Sequence, residues 1–217
     1  MRDRNAPLTA EDAGLLAWQK MDGLLPVTVQ NRNSARVLML GYMNREALDA
    51  TFESGRVTFW SRSKQRLWTK GETSGNALRV ASVHADCDGD ALLVLVDPEG
   101  PTCHRGTASC FGEVVCDGPE WLAELSRIVA DRAAGGSEES YTRKLLAQGP
   151  ARIAQKIGEE GVEVALAAAG SSPEQCTEEV ADLMYHVAVL MEARGFGWNE
   201  VVAVLRSRHA VEGEKVE

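Results

Sequence analysis

Long apolar runs are missing from this sequence. None exceeds six residues, as in Ala91–Val96, against the roughly 20 that a membrane span needs. No transmembrane segment is therefore expected. Met1-Arg2-Asp3-Arg4 leads into no apolar stretch, so no secretory signal is read there and a cytoplasmic location is expected. Cysteine is scarce and odd in number: five residues, Cys87, Cys103, Cys110, Cys116 and Cys176. Without a secretory signal, that count argues against a disulfide framework. Positive charge is in deficit, with 23 Lys and Arg against 32 Asp and Glu and a net charge of −9. This lowers the case for a nucleic-acid partner. What remains is ordinary for a folded chain: 44% hydrophobic and 25% charged residues over 217 positions, neither a fibre nor a disordered segment. The length suits one large domain or two small ones.

The excess acid is unevenly spread. Residues 1–116 carry 13 Lys and Arg and 14 Asp and Glu; residues 117–217 carry 10 and 18. Almost all of the net charge therefore sits in the second half, which suggests two units with different tasks. The hydrophobic patterns differ too. The first half predicts strands at Pro26–Arg32, Val37–Tyr42, Val57–Ser61, Leu78–Ala85 and Ala91–Val96. Leu15, Leu16 and Trp18 suggest a leading helix, and Asn44 caps another that ends near Gly55. The second half predicts only helices. One starts at Pro119 and is broken by Gly135-Gly136-Ser137; Ser140 caps a short one through Gln148. The next runs from Pro150 to about Ala169, another from Ser172-Pro173 to Arg194, and the last over Trp198–Arg208. The expected fold is thus a mixed, mainly β (α+β) N-terminal domain, residues 1–115, followed by an all-α helical bundle, residues 116–217. The boundary falls near 113–118, and the tail from Val211 to Glu217 reads as frayed.

Chemistry-bearing residues cluster in the first half. In Asp86-Cys87-Asp88-Gly89-Asp90, an extended chain would put the three aspartates on one face and Cys87 on the other. Crowded carboxylates repel unless a cation separates them, and oxygen donors suit Mg²⁺. A polar loop like a partial calcium loop is the alternative. Next comes Cys103-His104-Arg105-Gly106-Thr107-Ala108-Ser109-Cys110. Thiolates select zinc. Cys87, Cys103 and Cys110 supply three sulfurs and leave a fourth position open, as catalytic zinc sites do. Three buried packing cysteines, or a closed structural zinc with His104 or His84 as fourth ligand, are the other readings.

Between residues 56 and 79 lies a basic stretch rich in tryptophan, hydroxyls and glycine. Arg62, Lys64, Trp68, Lys70 and Ser74 are its candidate contacts to a phosphorylated small molecule, with an aromatic face for a base. A solvated basic hairpin and a nucleic-acid groove are the alternatives. Phe59–Asn76, Asp86–Asp90 and Cys103–Phe111 together resemble phosphoribosyl-AMP cyclohydrolase, over roughly residues 15–115. The resemblance implies Mg²⁺ at Asp86, Asp88 and Asp90 and zinc at Cys87, Cys103 and Cys110. It also implies a homodimer in which Cys87 comes from the other subunit. Lys64 stands where many members have Arg. The implied reaction adds water at C6 of the adenine ring and breaks the N1–C6 bond. Zinc activates water for such an attack, and His104 or His84 would move the proton. For His84, a hydrogen-bonded strand residue is the competing reading.

On the predicted helices of the second half, Glu160 and Glu163 are three apart and Glu159 and Glu163 four apart, so they are neighbours. Glu179 and Asp182 repeat the three-residue spacing. A turn at Gly170-Ser171-Ser172 can fold the two acidic pairs together around a divalent cation, as in helix-bundle carboxylate sites; a solvated acidic face is the alternative. Glu159-Glu160-x-x-Glu163 and Glu179-x-x-Asp182 are similar to the signature of phosphoribosyl-ATP pyrophosphohydrolase, over about 120–208. The resemblance implies Mg²⁺ on these acids and cleavage between the α and β phosphates of an ATP-derived nucleotide. Arg143, Lys144 and Lys156 are candidate phosphate contacts, with plain surface charge as the alternative. Tyr185 and His186 read as packing. Together the halves resemble a fused pair of metal-dependent hydrolases acting on consecutive nucleotide substrates in histidine biosynthesis.

Overall fold

Alternating small apolar residues build the first unit. In β1 (Leu25–Asn31), Leu25, Val27 and Val29 are fully buried while their neighbours are partly exposed, as expected for a strand with one face on a core. A computed structural model describes residues 3, 6–112, 118–135, 140–170 and 172–209, and the chain divides into two units, Met1–Cys116 and Asp117–Glu217. The expected boundary stretch at 113–117, the Gly136-Ser137 break, Ser171 in the expected turn and the tail from Val211 lie outside the described residues.

In the first unit, β2 (Val37–Met43), β1, β6 (Leu92–Pro98) and β5 (Leu78–Ala85) form one sheet in that order. β1 pairs antiparallel with β2 and parallel with β6, which pairs antiparallel with β5. Helix α1 (Arg45–Ser54) packs beside it. Asn44 caps its N-terminus by accepting from the Ala47 N–H at 2.9 Å, and Gly55 closes it at φ 65°. β3 (Thr58–Ser61) and β4 (Arg66–Thr69) make a separate hairpin, with Phe59 opposite Trp68 and their rings stacked at 5.7 Å.

Two expectations need correction here. The leading helix is two short 3-10 turns, Glu11–Leu15 and Trp18–Met21. Leu16 between them is extended, and the Trp18 indole N–H reaches back to the Ala13 carbonyl at 2.8 Å. β4 has no counterpart among the predicted strands, because Arg66-Leu67-Trp68-Thr69 shows no clear apolar alternation. Its pairing with β3 supplies what its pattern lacks.

Among its described residues the second unit contains helices and no strand: α2 (Trp121–Gly135), α3 (Tyr141–Ala147), α4 (Pro150–Gly170), α5 (Pro173–Arg194) and α6 (Trp198–His209). Its core comprises Leu125, Val129, Leu145, Ile153, Ala188, Val189 and Met191. Ser172 and Gln175 form a capping box at the start of α5, and Gly195 ends it at φ 70°. The Trp198 indole donates to the Leu122 carbonyl at 3.1 Å and ties α6 to α2. α4 and α5 pack along one another, which places their acidic positions side by side.

Candidate active sites

The first unit has a cleft of about 430 Å³ lined by Trp68, Lys70, Glu72, Ser74, Asn76, Thr102, Cys103, His104 and Cys110. Its wall is the end of β4 and the turn that follows. Gly71 sits at φ 90°, and a Cβ there would lie 2.7 Å from the backbone of Ala77, so only glycine fits that close approach. Lys70 precedes it and lines the cleft. It is buried, and its ammonium donates to the Asn76 carbonyl at 3.2 Å. Burial lowers its pKa, and the two nearby thiols partly offset that effect.

Cys103 and Cys110 both line the cleft, and each affects the ionisation of the other. The backbone N–H of Arg105 lowers the Cys103 pKa, helped by Thr107, while desolvation raises that of Cys110. The His104 Nδ1 lies 4.0 Å from the Cys103 sulfur. Two adjacent thiols with one already biased toward thiolate fit a soft divalent ion. Of the sequence-based candidates, Trp68, Lys70, Ser74, His104, Cys103 and Cys110 meet in this cleft. Arg62 and Lys64 are not among its lining residues. Arg62 instead covers the Tyr42 ring at 3.9 Å. His84, on β5, has its Nε2 3.0 Å from the Ser82 hydroxyl.

The acid segment departs from its expected form. It bends after β5 rather than running extended. The Asp86 carboxylate accepts from the backbone N–H groups of Asp90 at 3.0 Å and Ala91 at 3.1 Å, and Gly89 takes φ 75°. In the bend, Cys87 is not opposite the acids: donor atoms of Asp86, Cys87 and Asp88 lie within 4.8 Å of one another. Asp90 is outside that group and pairs with Lys20 at 3.0 Å; Lys20 also pairs with Asp88. The Lys20 ammonium holds the Asp88 carboxyl below the usual carboxylate range, and both acids raise the lysine. Among the described residues, no cluster of three donors unites Cys87 with Cys103 and Cys110.

In the second unit, α4 and α5 bring donor atoms of Glu160, Glu179 and Asp182 within 4.8 Å of one another. Glu160 is only 5% exposed, which carboxylates almost never are without a partner. Its partner is Lys156, at 2.7 Å. That hydrogen bond keeps Glu160 below the usual carboxylate range against the opposing effect of burial. Glu163 is raised, because it shares a hydrogen bond with Glu160 and feels its charge. Glu159 is not in the gathered set. It faces Gln155 at 2.9 Å, Lys156 at 3.0 Å and Arg152 at 3.4 Å. Lys156 is thus committed to the glutamates, while Arg143 and Lys144 are exposed on α3.

Sequence reasoning read His186 as packing and did not select Tyr141. His186 is buried, its Nδ1 donates to the Asp182 carbonyl at 2.9 Å, and its Nε2 lies 3.2 Å from the Tyr141 hydroxyl. Nδ1 also lies 3.7 Å from the Glu160 carboxylate. The i,i+4 spacing of Asp182 and His186 was the available signal. Lys20 gave none, since it meets its acids 68 and 70 residues away.

Residues 39–112 match the family model of phosphoribosyl-AMP cyclohydrolase, and residues 122–209 match that of phosphoribosyl-ATP pyrophosphohydrolase. The histidine biosynthesis bifunctional protein HisIE of Escherichia coli K12 is 55% identical over 204 residues, covering 93% of this chain and 99% of that protein. The chain belongs to this bifunctional family. Its HisIE relatives in Salmonella typhimurium LT2 and Yersinia pestis are 53% identical over 204 residues and 50% over 202, with 99% and 98% of their lengths covered. The cyclohydrolase match contains the cleft and the acid bend; the pyrophosphohydrolase match contains the α4–α5 carboxylates. The chain is a phosphoribosyl-AMP cyclohydrolase and a phosphoribosyl-ATP pyrophosphohydrolase in one polypeptide.

Proposed function

We propose that residues 116–217 remove pyrophosphate from phosphoribosyl-ATP at the α4–α5 acids, and that residues 1–115 open the adenine ring of the phosphoribosyl-AMP so formed. Both steps belong to histidine biosynthesis, in the cytoplasm, where reducing conditions keep the thiols free. The observation that carries the reading is that two donor sets of different chemistry occupy two separate units: hard carboxylates at Glu160, Glu179 and Asp182, soft thiols at Cys103 and Cys110.

The donors fit their ions. Glu160, Glu179 and Asp182, with Glu163 beside them, would hold Mg²⁺; Glu159 would instead orient Lys156 and Arg152. Asp86 and Asp88 would hold a further Mg²⁺, with Asp90 joining them. Cys103 and Cys110 would hold zinc, and a Cys87 from a second copy of the chain would complete the set. The exposure of Cys87, and the lack of any three-donor cluster uniting it with the other two thiols among the described residues, support that homodimeric arrangement. When bound, these ions supply Lewis acidity that makes water a nucleophile near neutral pH and offsets phosphate charge.

The chain's own groups do the rest. In the cleft, the Trp68 face takes the base, while Lys70 and Ser74 take anionic groups of the nucleotide. Ring opening adds water to C6, breaks the N1–C6 bond and delivers a proton to N1. His104, beside Cys103, carries that proton. His104→Ala is expected to slow ring opening by roughly 100-fold or more, the usual effect of losing a general acid–base, whereas His84→Ala stays near the wild-type rate. Near-normal turnover in both variants, read by the absorbance change on ring opening, would end this role for histidine. In the second unit, Tyr141 and the Asp182 carbonyl fix the His186 ring against Glu160, and Lys156 keeps Glu160 ionised. Arg143 and Lys144, exposed on α3, would contact the triphosphate.

Supplying phosphoribosyl-ATP to the purified protein tests the order of events. Pyrophosphate and the ring-opened product should both appear. With a zinc-selective chelator, pyrophosphate release should continue while phosphoribosyl-AMP accumulates. Loss of both products together would refute two independent metal sites.

A further inference from the structure

Lys20 is the strongest unassigned feature of the molecule. It lies in the 3-10 turn Trp18–Met21, far in sequence from the acid bend, yet that turn is fastened to the bend. The Ala17 N–H donates to the Gly89 carbonyl at 2.8 Å, and a Cβ on Gly89 would lie 3.5 Å from the Ala17 nitrogen. The Trp18 indole bond to Ala13 and the Gly23 N–H bond to the Trp18 carbonyl, both 2.8 Å, hold the turn in shape. From this fixed base the ammonium contacts Asp88 Oδ2 and, at 3.0 Å, Asp90 Oδ2. Asp86 needs no such help, since two backbone N–H groups already satisfy it.

We propose that Lys20 is a built-in counter-cation of the acid bend, which holds Asp88 and Asp90 in place of a divalent ion and must be displaced from them when that ion binds. The proposal rests on the reading of Asp86, Asp88 and Asp90 as a divalent-metal site. Its physical content is competition. A single positive charge neutralises part of the site in advance and lowers affinity for a second cation. Lys20 thus sets the free-ion concentration at which the bend loads and keeps two adjacent carboxylates from repelling each other before it does. The Lys20 side chain is half exposed, so the competition is screened by salt.

Mn²⁺ binding to the full chain, followed by electron paramagnetic resonance of the free ion, tests this. Lys20→Met should bind Mn²⁺ about three- to tenfold more tightly at the bend at low salt, the range for releasing one or two exposed ion pairs. The gain should shrink toward zero at about 0.5 M salt. Lys20→Arg should behave as wild type. The α4–α5 site contributes the same background to every variant. An Asp88→Asn, Asp90→Asn double variant should lose one bound ion per chain. If it keeps the wild-type stoichiometry, the metal reading of the bend fails and the proposal falls with it. If it loses that ion but Lys20→Met binds no more tightly than wild type, the proposal alone is overturned.

Discussion

Cys110→Ala is expected to reduce ring opening of phosphoribosyl-AMP by at least ~1,000-fold, about 4 kcal/mol of transition-state stabilisation, while pyrophosphate release stays within about twofold of wild type. The side chain is exposed at the cleft, and the residue is held by its backbone N–H, which donates to the Leu38 carbonyl at 2.8 Å. An alanine keeps that bond, so the fold should persist and only the thiol is lost. Cys103 and the Cys87 proposed to come from a second copy would then hold a soft ion too weakly against competing water. Metal analysis of the purified variant should show zinc falling in step with ring-opening rate. Retained zinc with lost activity would mean that Cys110 acts on substrate rather than on metal. Loss of both activities with an intact circular dichroism spectrum would contradict separate sites.

The converse variant is Glu160→Gln. It should lower pyrophosphate release from phosphoribosyl-ATP by at least ~100-fold, about 2.7 kcal/mol, and leave ring opening of directly supplied phosphoribosyl-AMP unchanged. Glutamine keeps the volume of the buried side chain. Lys156 keeps a carboxylate partner in Glu159 at 3.0 Å, so no cation is stranded by the change. What disappears is one negative donor among Glu160, Glu179 and Asp182. Activity should recover only partly at high Mg²⁺, because affinity and geometry are both impaired. Glu159→Gln is the internal comparison. Its carboxylate faces Gln155, Lys156 and Arg152 rather than the gathered donors, so a loss as large as that of Glu160→Gln would show that the assignment within this acidic triplet is wrong.

Much of the scaffold could be read without coordinates, because its signals are local. Asn44 and Ser172 cap helices where their side chains can reach the third N–H, and Gly55 and Gly195 close helices in left-handed conformations. Alternation marked β1, and the acidic spacing on α4 and α5 marked the pair of helices that meet. The readings that failed depend on contacts that strand and helix periods do not encode. Asp86 folds the acid segment by accepting from backbone N–H groups only four and five residues on, which no alternation rule contains. β4 becomes a strand through Phe59 opposite Trp68. Glu159 and Glu160 are adjacent in sequence and share Lys156, but only Glu160 meets Glu179 and Asp182, because a helix turns about 100° per residue. Only packing against α5 decides which of the two enters the donor group. His186 resembled a core residue because it is one, and its hydrogen bonds on both ring nitrogens appear only once Tyr141 is brought to it from α3.

The β3–β4 hairpin has a further consequence. Trp68, Lys70 and Ser74 all derive from it or from the turn that follows, and it is hydrogen-bonded as its own two-stranded sheet. The thiols come from a different loop, after β6. The proposed nucleotide surface and the proposed thiol donors of the cleft are therefore carried on separate pieces of chain. Exchanging the hairpin for one of another sequence, with its Phe59 anchor kept, offers a route to altered base preference that leaves the hydrolytic chemistry in place.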